Sequence, residues 1–185
     1  MTSSTLNVTL HFAEITDLPA IQDIINDARD FLADQKIDQW QNGYPEPDVI
    51  ANDIKRGETV ALKDDEGTIL AIASLVKGLD QPYEAIIDGD WRVKGTTNNY
   101  VSIHRVAMAK ASRGHHLTHD FFDLMKEQIA ADSDIESIRI DTHPENFGMQ
   151  HVIETNGFDY IGLVPVVGGR PDETNVAYDL VLDRG

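Results

Sequence analysis

The residues best placed to do chemistry lie between Tyr100 and Phe122, YVSIHRVAMAKASRGHHLTHDFF. Its first part, Tyr100–Met108, reads as an apolar strand. A short polar connection leads to Arg113-Gly114. A helix then follows, with Leu117, Phe121, Leu124, Met125 and Ile129 on one face. A strand that feeds a helix through an Arg-Gly turn presents free backbone N–H groups at the positive end of the helix dipole. That combination holds a phosphate or a similar anion. His115, His116 and His119 crowd the same turn. Their spacing matches no recognised metal-ligand set, so no metal is expected there, and a solvated or phosphate-facing role suits them better. His104, on the strand, and His143, after a later strand, are of the residue type that exchanges protons near neutral pH, which makes both candidate general bases. By simple alternation His104 shares a face with Tyr100, Ser102 and Val106.

The elements that must position these groups follow from pattern. Leu6–Phe12 alternates as a strand. Thr16-Asp17 before Leu18-Pro19 marks a helix start. The apolar stripe Leu18, Ile21, Ile24, Ile25, Ala28, Phe31, Leu32 carries that helix to about Lys36. Gly43, Pro45 and Pro47 break the next segment, where Trp40 and Tyr44 sit among polar residues. These two aromatics either lid a substrate pocket or seal a core edge. A helix over Asp48–Arg56 closes at Gly57. Glu58–Lys63 and Thr68–Lys77 flank a hairpin turn at 64–67. Segment 78–94 holds Asp80, Glu84, Asp88 and Asp90 beside Tyr83 and Trp91. It reads either as a wall for a cationic substrate or as a solvated hairpin. A strand at Glu136–Asp141, a helix from Pro144 to Asn156, and strands at Phe158–Pro165 and Asn175–Leu182 complete the chain. Arg139 and Asp141 are expected to make ion pairs or stay solvated. Interleaved strands and helices give an α/β class with a mixed sheet.

Bulk properties narrow the function. The 185 residues suffice for one domain with a sizeable core. A net charge of −17 argues against nucleic acid and anionic membrane as partners. It suits cationic small molecules such as amines, or serves solubility alone. The sequence has no cysteine, which removes disulfides and thiolate nucleophiles. The N-terminus lacks a basic n-region and an apolar h-region, and no run approaches a membrane span, so the expected compartment is the cytoplasm.

RVAMAKASRGHHLTHDFF resembles the acyl-CoA-binding motif of the GNAT superfamily of N-acetyltransferases. That motif is a V-x-V-type strand, a short bulge, and R-G-x-G-[IL]-[AG] opening a helix. Val106 and Met108 take the strand positions, and Arg113, Gly114 and Leu117 the loop positions. The later IRIDTHPENFGMQHVIETNGFDYIG is similar to the family's second half, with Asn146 on its helix and Asn156-Gly157-Phe158 before the next strand. DQWQNGYP (38–45) and IHR (103–105) resemble a bacterial subgroup. The resemblance runs from about Val8 to Leu182, with the domain set at 6–183.

The resemblance implies a single GNAT-type α/β domain. Its twisted, mixed and mostly antiparallel sheet would split between two parallel central strands, with helices on both faces. Acetyl-CoA, as cosubstrate, would lie in the split. Its pantetheine would meet the backbone of Val106 and Met108. Its pyrophosphate would sit on Arg113, Gly114, His115, His116, Leu117 and Thr118, with Asn146 and Met149 close by. The Met108 amide would hold the oxyanion, His104 or His143 would act as base, and Trp40, Tyr44, Tyr83, Trp91 and Tyr100 would contact an amine acceptor. Final strands of this kind pair between subunits, which implies a homodimer. Two positions depart from the pattern. His116 replaces the second loop glycine, with Thr118 at the small-residue position. Ile153 stands where many relatives carry a tyrosine thought to protonate the leaving thiolate. Those departures leave a second reading, a GNAT-fold CoA-binding or sensor protein without turnover.

Overall fold

A computed structural model describes residues 6–114, 116–167 and 169–183. The strands are β1 (Val8–Phe12), β2 (Thr59–Asp64), β3 (Ile69–Lys77), β4 (Tyr100–Met108), β5 (Ser137–Thr142), β6 (Asp159–Pro165) and β7 (Thr174–Val181). The helices are α1 (Leu18–Asp34), α2 (Pro47–Lys55), α3 (Gln81–Glu84), α4 (Leu117–Ala130) and α5 (Phe147–Thr155). The strands form one seven-stranded sheet in the order β1-β2-β3-β4-β5-β7-β6. Neighbours are antiparallel except β4 and β5, which run parallel.

Each face of the sheet buries helices whose apolar stripes match it. On one side Phe121, Phe122 and Met125 of α4 and Ile153 of α5 pack on Val101, Ile103, Ile138 and Ile140. On the other, Ile21 and Ile25 of α1 and Ile50 and Ile54 of α2 pack on Ala61, Ile72 and Ala107. Among the described residues no helix is long and apolar enough to cross a membrane.

Two features of β4 set up everything that follows. Its pairing with β5 runs from Tyr100↔Ser137 to Ile103↔Ile140 and goes no further. Past that point the two strands part. At the same place β4 carries a bulge against β3. Ser74 pairs with His104 and Ile72 with Ala107, so Arg105 and Val106 together face Ala73. Arg105 has a left-handed backbone, φ 55°. The extra residue resets the side-chain alternation. Ile103 before the bulge and Val106 and Met108 after it all meet the α4/α5 core. His104 instead packs toward Tyr83, with ring centroids 5.6 Å apart. The expectation that His104 and Val106 share a face is therefore corrected: they lie on opposite faces of the sheet.

Other boundaries also differ. A 3-10 turn, Ile15–Asp17, precedes α1. Asp17 there does not cap α1; it accepts the Glu14 amide at 3.0 Å and pairs with Lys63 at 3.1 Å. Segment 78–94 is not a hairpin. It forms the short α3 and one bridge, Ile87↔Leu163, and lies across the sheet. Gly89 permits this crossing, because a Cβ there would sit 1.7 Å from the Ile161 carbonyl oxygen. α5 begins at Phe147, three residues past Pro144, because the Asn146 side chain caps it by accepting the Met149 amide at 3.0 Å.

Candidate active site

Where β4 and β5 part, a cavity of about 1030 Å³ opens through the sheet. It is lined from both faces, and the two sides are built differently.

One side is mostly backbone and apolar surface. The Ala109 amide donates to the Leu70 carbonyl at 2.8 Å. In an antiparallel ladder the direction of the backbone groups alternates, so Met108 and Val106 turn their amides and carbonyls away from β3, into the split. Val106 is the nearer of the two to the apex at Ile103↔Ile140. Val106, Met108, Met149 and Val152 line this side with Arg113 and Thr118. Gly114, φ 86°, turns the chain into α4, and a Cβ there would meet open space. His116 is the N-cap of α4 and is itself left-handed, at φ 56° and ψ 25°. The position thus calls for a backbone that glycine adopts freely and histidine adopts at a cost. The Arg113 guanidinium lies 4.6 Å from the centroid of the Phe31 ring on α1. The Leu117 side chain is buried in the core, so only its backbone is available to a ligand. His119 is tied to the Asn156 side chain at 3.1 Å. His115 lies outside the described residues.

The other side is a network of side chains. The His104 imidazole Nε2 meets the Asp80 carboxylate in a short hydrogen bond. Burial alone would raise the pKa of Asp80, but the hydrogen bond and charge of His104 outweigh it and hold the carboxyl below its ordinary value. The Asp80 amide donates to the Tyr100 hydroxyl at 2.6 Å, which fixes the carboxylate's backbone. Arg105 reaches the buried Asp53 of α2 at 2.6 Å and donates to the Tyr44 hydroxyl, also at 2.6 Å. Asp53 is only 1% exposed and also binds Arg56 and the Ser74 hydroxyl. Trp40 and Tyr44 both line the cavity. Their loop is anchored to α1 by Arg29, which donates to the Gly43 and Pro45 carbonyls at 3.1 and 3.2 Å. The Asn146 side chain reaches across to Gln39 of that loop at 2.8 Å. Asp141, at the end of β5, accepts from the Tyr83 hydroxyl at 2.5 Å and from Asn175 at 2.6 Å.

The remaining expected residues divide. His143 lines the cavity, and its Nδ1 accepts the Glu145 amide at 3.2 Å. Among the described residues no carboxylate pairs with it. Tyr83 and Tyr100 are fully buried, and with Trp91 they stand behind the cavity wall instead of forming it. The reason is Arg139, a buried cation sandwiched between the Trp91 and Tyr100 rings at 4.1 and 3.8 Å. Its guanidinium donates to the Val93 carbonyl at 2.7 Å, and burial pulls its pKa down. The expectation of an ion-paired or solvated Arg139 is thus corrected. Glu84, Asp88 and Asp90 are exposed, so of that acidic segment Asp80 alone reaches the cavity. Ile153 is wholly buried on the α5 side and offers nothing to the site. Among the described residues no group of three or more His, Cys, Asp or Glu is placed to hold a metal ion.

Sequence reasoning passed over Asp53, Arg105 and the role of Asp80. One signal for Asp53 was present: it sits on the same helical face as Ile50 and Ile54, an acid on an apolar stripe. Nothing local marks Asp80 as the partner of His104.

No family model and no curated protein matches the chain. Solved structures do. An acetyltransferase of the GNAT family from Streptococcus agalactiae is 28% identical, with 97% of this chain and 99% of that one covered and a TM-score of 0.84. One from Listeria monocytogenes is 20% identical, with 98% and 99% covered and a TM-score of 0.71. An acetyltransferase from Salmonella typhimurium, solved with acetyl-CoA, is 20% identical, with 96% and 95% covered and a TM-score of 0.63.

Proposed function

We infer that this chain, a member of the GNAT superfamily of N-acetyltransferases, transfers the acetyl group of acetyl-CoA directly to a primary amine of a small molecule or peptide. The observation that carries the reading is the pair of unlike walls meeting where β4 leaves β5. One wall offers strand-edge amides and a loop that opens a helix. The other offers a histidine-carboxylate pair.

The cosubstrate side fits acetyl-CoA on this chain's own features. The free edge of β4 at Val106 and Met108 supplies the N–H and C=O groups that an extended amide-bearing arm needs. The turn at Gly114 and His116 supplies amides at a helix N-terminus for a pyrophosphate, so the global charge of −17 is no obstacle. Since Val106 lies nearest the apex, its amide is better placed than that of Met108 to donate to the oxyanion.

On the acceptor side an ammonium must lose a proton before its nitrogen can attack. His104 takes that proton, and Asp80 fixes the ring and stabilises the imidazolium that forms. The Asp141 carboxylate, one residue past the apex of the split, adds negative potential that favours a cationic acceptor. Trp40, on the same side of the cavity, covers its apolar part.

The test is thiol release from acetyl-CoA with a panel of primary amines, alongside a thermal shift with acetyl-CoA alone. A ligand at a hundredfold its Kd stabilises by about 2.7 kcal/mol. Release that depends on an amine supports the transferase. A shift without release from any amine favours a CoA-binding protein without turnover, and no shift contradicts both.

A further inference from the structure

When the acetyl group leaves, the C–S bond breaks and its electron pair stays on sulfur, which then needs a proton. The α5 side cannot supply one, because Ile153 is apolar and wholly buried. The His104 ring is held by Asp80 and, on the acetyl-transfer reading, receives the proton of the amine. The wall of the cavity offers another O–H, on Tyr44.

We propose that Tyr44 is the proton donor to the departing sulfur, with Arg105 as its positioning residue; the proposal rests on the acetyl-transfer reading. A guanidinium only donates hydrogen bonds, so the 2.6 Å contact from Arg105 fills a lone pair of the phenol oxygen and leaves its hydrogen free. Among the described residues no acceptor takes that hydrogen. Arg105 is the bulge residue immediately before Val106, so the contact ties the phenol to the apex of the split. Asp53, itself buried, locks the guanidinium in place. The step balances. Sulfur gains the phenol proton, and the phenolate that remains faces the guanidinium. The amine nitrogen gives up two protons in all, one to His104 before attack and one to solvent as the tetrahedral intermediate collapses. The imidazolium at His104 passes its proton to Tyr44 through solvent, so both groups are reset and one proton is released per turnover. Arg105 thus sets a positive charge against the phenolate that Tyr44 leaves behind.

The experiment is Tyr44→Phe, which keeps the ring and removes one hydroxyl, with its fold checked by circular dichroism and melting. Turnover should fall on the order of a hundredfold, with the KM for the amine little changed. A readout free of turnover is the affinity of CoA against that of desulfo-CoA by calorimetry. The wild type should prefer CoA, and Tyr44→Phe should lower that preference several-fold. A raised amine KM at unchanged kcat would reduce Tyr44 to an acceptor contact and overturn the proposal. An unchanged CoA preference would overturn it as well. If the wild type releases thiol with no amine, the transfer reading fails, and the desulfo-CoA comparison still decides whether Tyr44 meets the sulfur.

Discussion

The two walls of the split solve recognition in different ways. The wall proposed for acetyl-CoA presents main-chain groups: an unpaired strand edge at Val106 and Met108 and a turn with left-handed residues at Gly114 and His116. The wall proposed for the acceptor presents side chains drawn from distant parts of the chain, with Asp80 on His104 and Asp53 and Tyr44 on Arg105. Recognition through the backbone would tolerate a change of side chain such as His116 in place of glycine. Side-chain recognition depends on each partner, and the loss of one leaves another unpaired in the interior.

Breaking the acceptor wall should therefore give the larger effects. Asp53→Ala leaves Arg105, with 9% of its side chain exposed, facing an empty site. Removing one partner of a buried pair costs about 3–5 kcal/mol, and urea unfolding measures it. A loss under about 1 kcal/mol would show that water replaces the carboxylate and that the network is not tightly built.

On the cosubstrate wall the contrast sharpens in the opposite direction. His116→Gly should stabilise the fold by roughly 1 kcal/mol, because it removes a left-handed non-glycine residue at φ 56°. Acetyl-CoA affinity should hold or rise. A weaker affinity would mean that the imidazole itself binds phosphate.

The smallest expected effect concerns pH. Asp80 is held below the ordinary aspartate value of 3.8 by His104. A lowered carboxyl stabilises the fold above that value, and the contribution disappears as pH falls through the lower folded value. Below pH 3.8 the wild type should accordingly lose stability more steeply than Asp80→Asn. Parallel acid-unfolding curves would show that the pair adds nothing to stability.

The same contrast explains what could be read from the chain. The apolar stripes of α1 and α4, the Arg-Gly turn and the final Asn-Gly-Phe are local patterns, and they carry the α/β class and the strand-turn-helix on which the proposed cosubstrate wall rests. The bulge at Arg105 was not legible, since a single extra residue leaves no mark on an apolar run. Missing it placed His104 on the wrong face. Tyr83, Trp91 and Tyr100 read as candidate acceptor contacts because aromatics near acids suggest a binding wall. Arg139 claims two of those rings, Trp91 and Tyr100, from a strand far along the chain, which spacing cannot reveal. Asp80 and His104 are joined only through the fold, across segment 78–94, which pattern alone left open between a wall and a hairpin.

On the proposed reading, binding of acetyl-CoA and activation of the amine reside on separate walls. Calorimetry with acetyl-CoA on Gly114→Glu and His104→Ala, paired with thiol release in the presence of an amine that the wild type accepts, tests it most directly. Gly114→Glu sets a carboxylate where the pyrophosphate would lie and should abolish binding. His104→Ala should bind with wild-type affinity and turn over on the order of a hundredfold more slowly. Unchanged binding by Gly114→Glu, or equal losses of affinity in both variants, would contradict the separation.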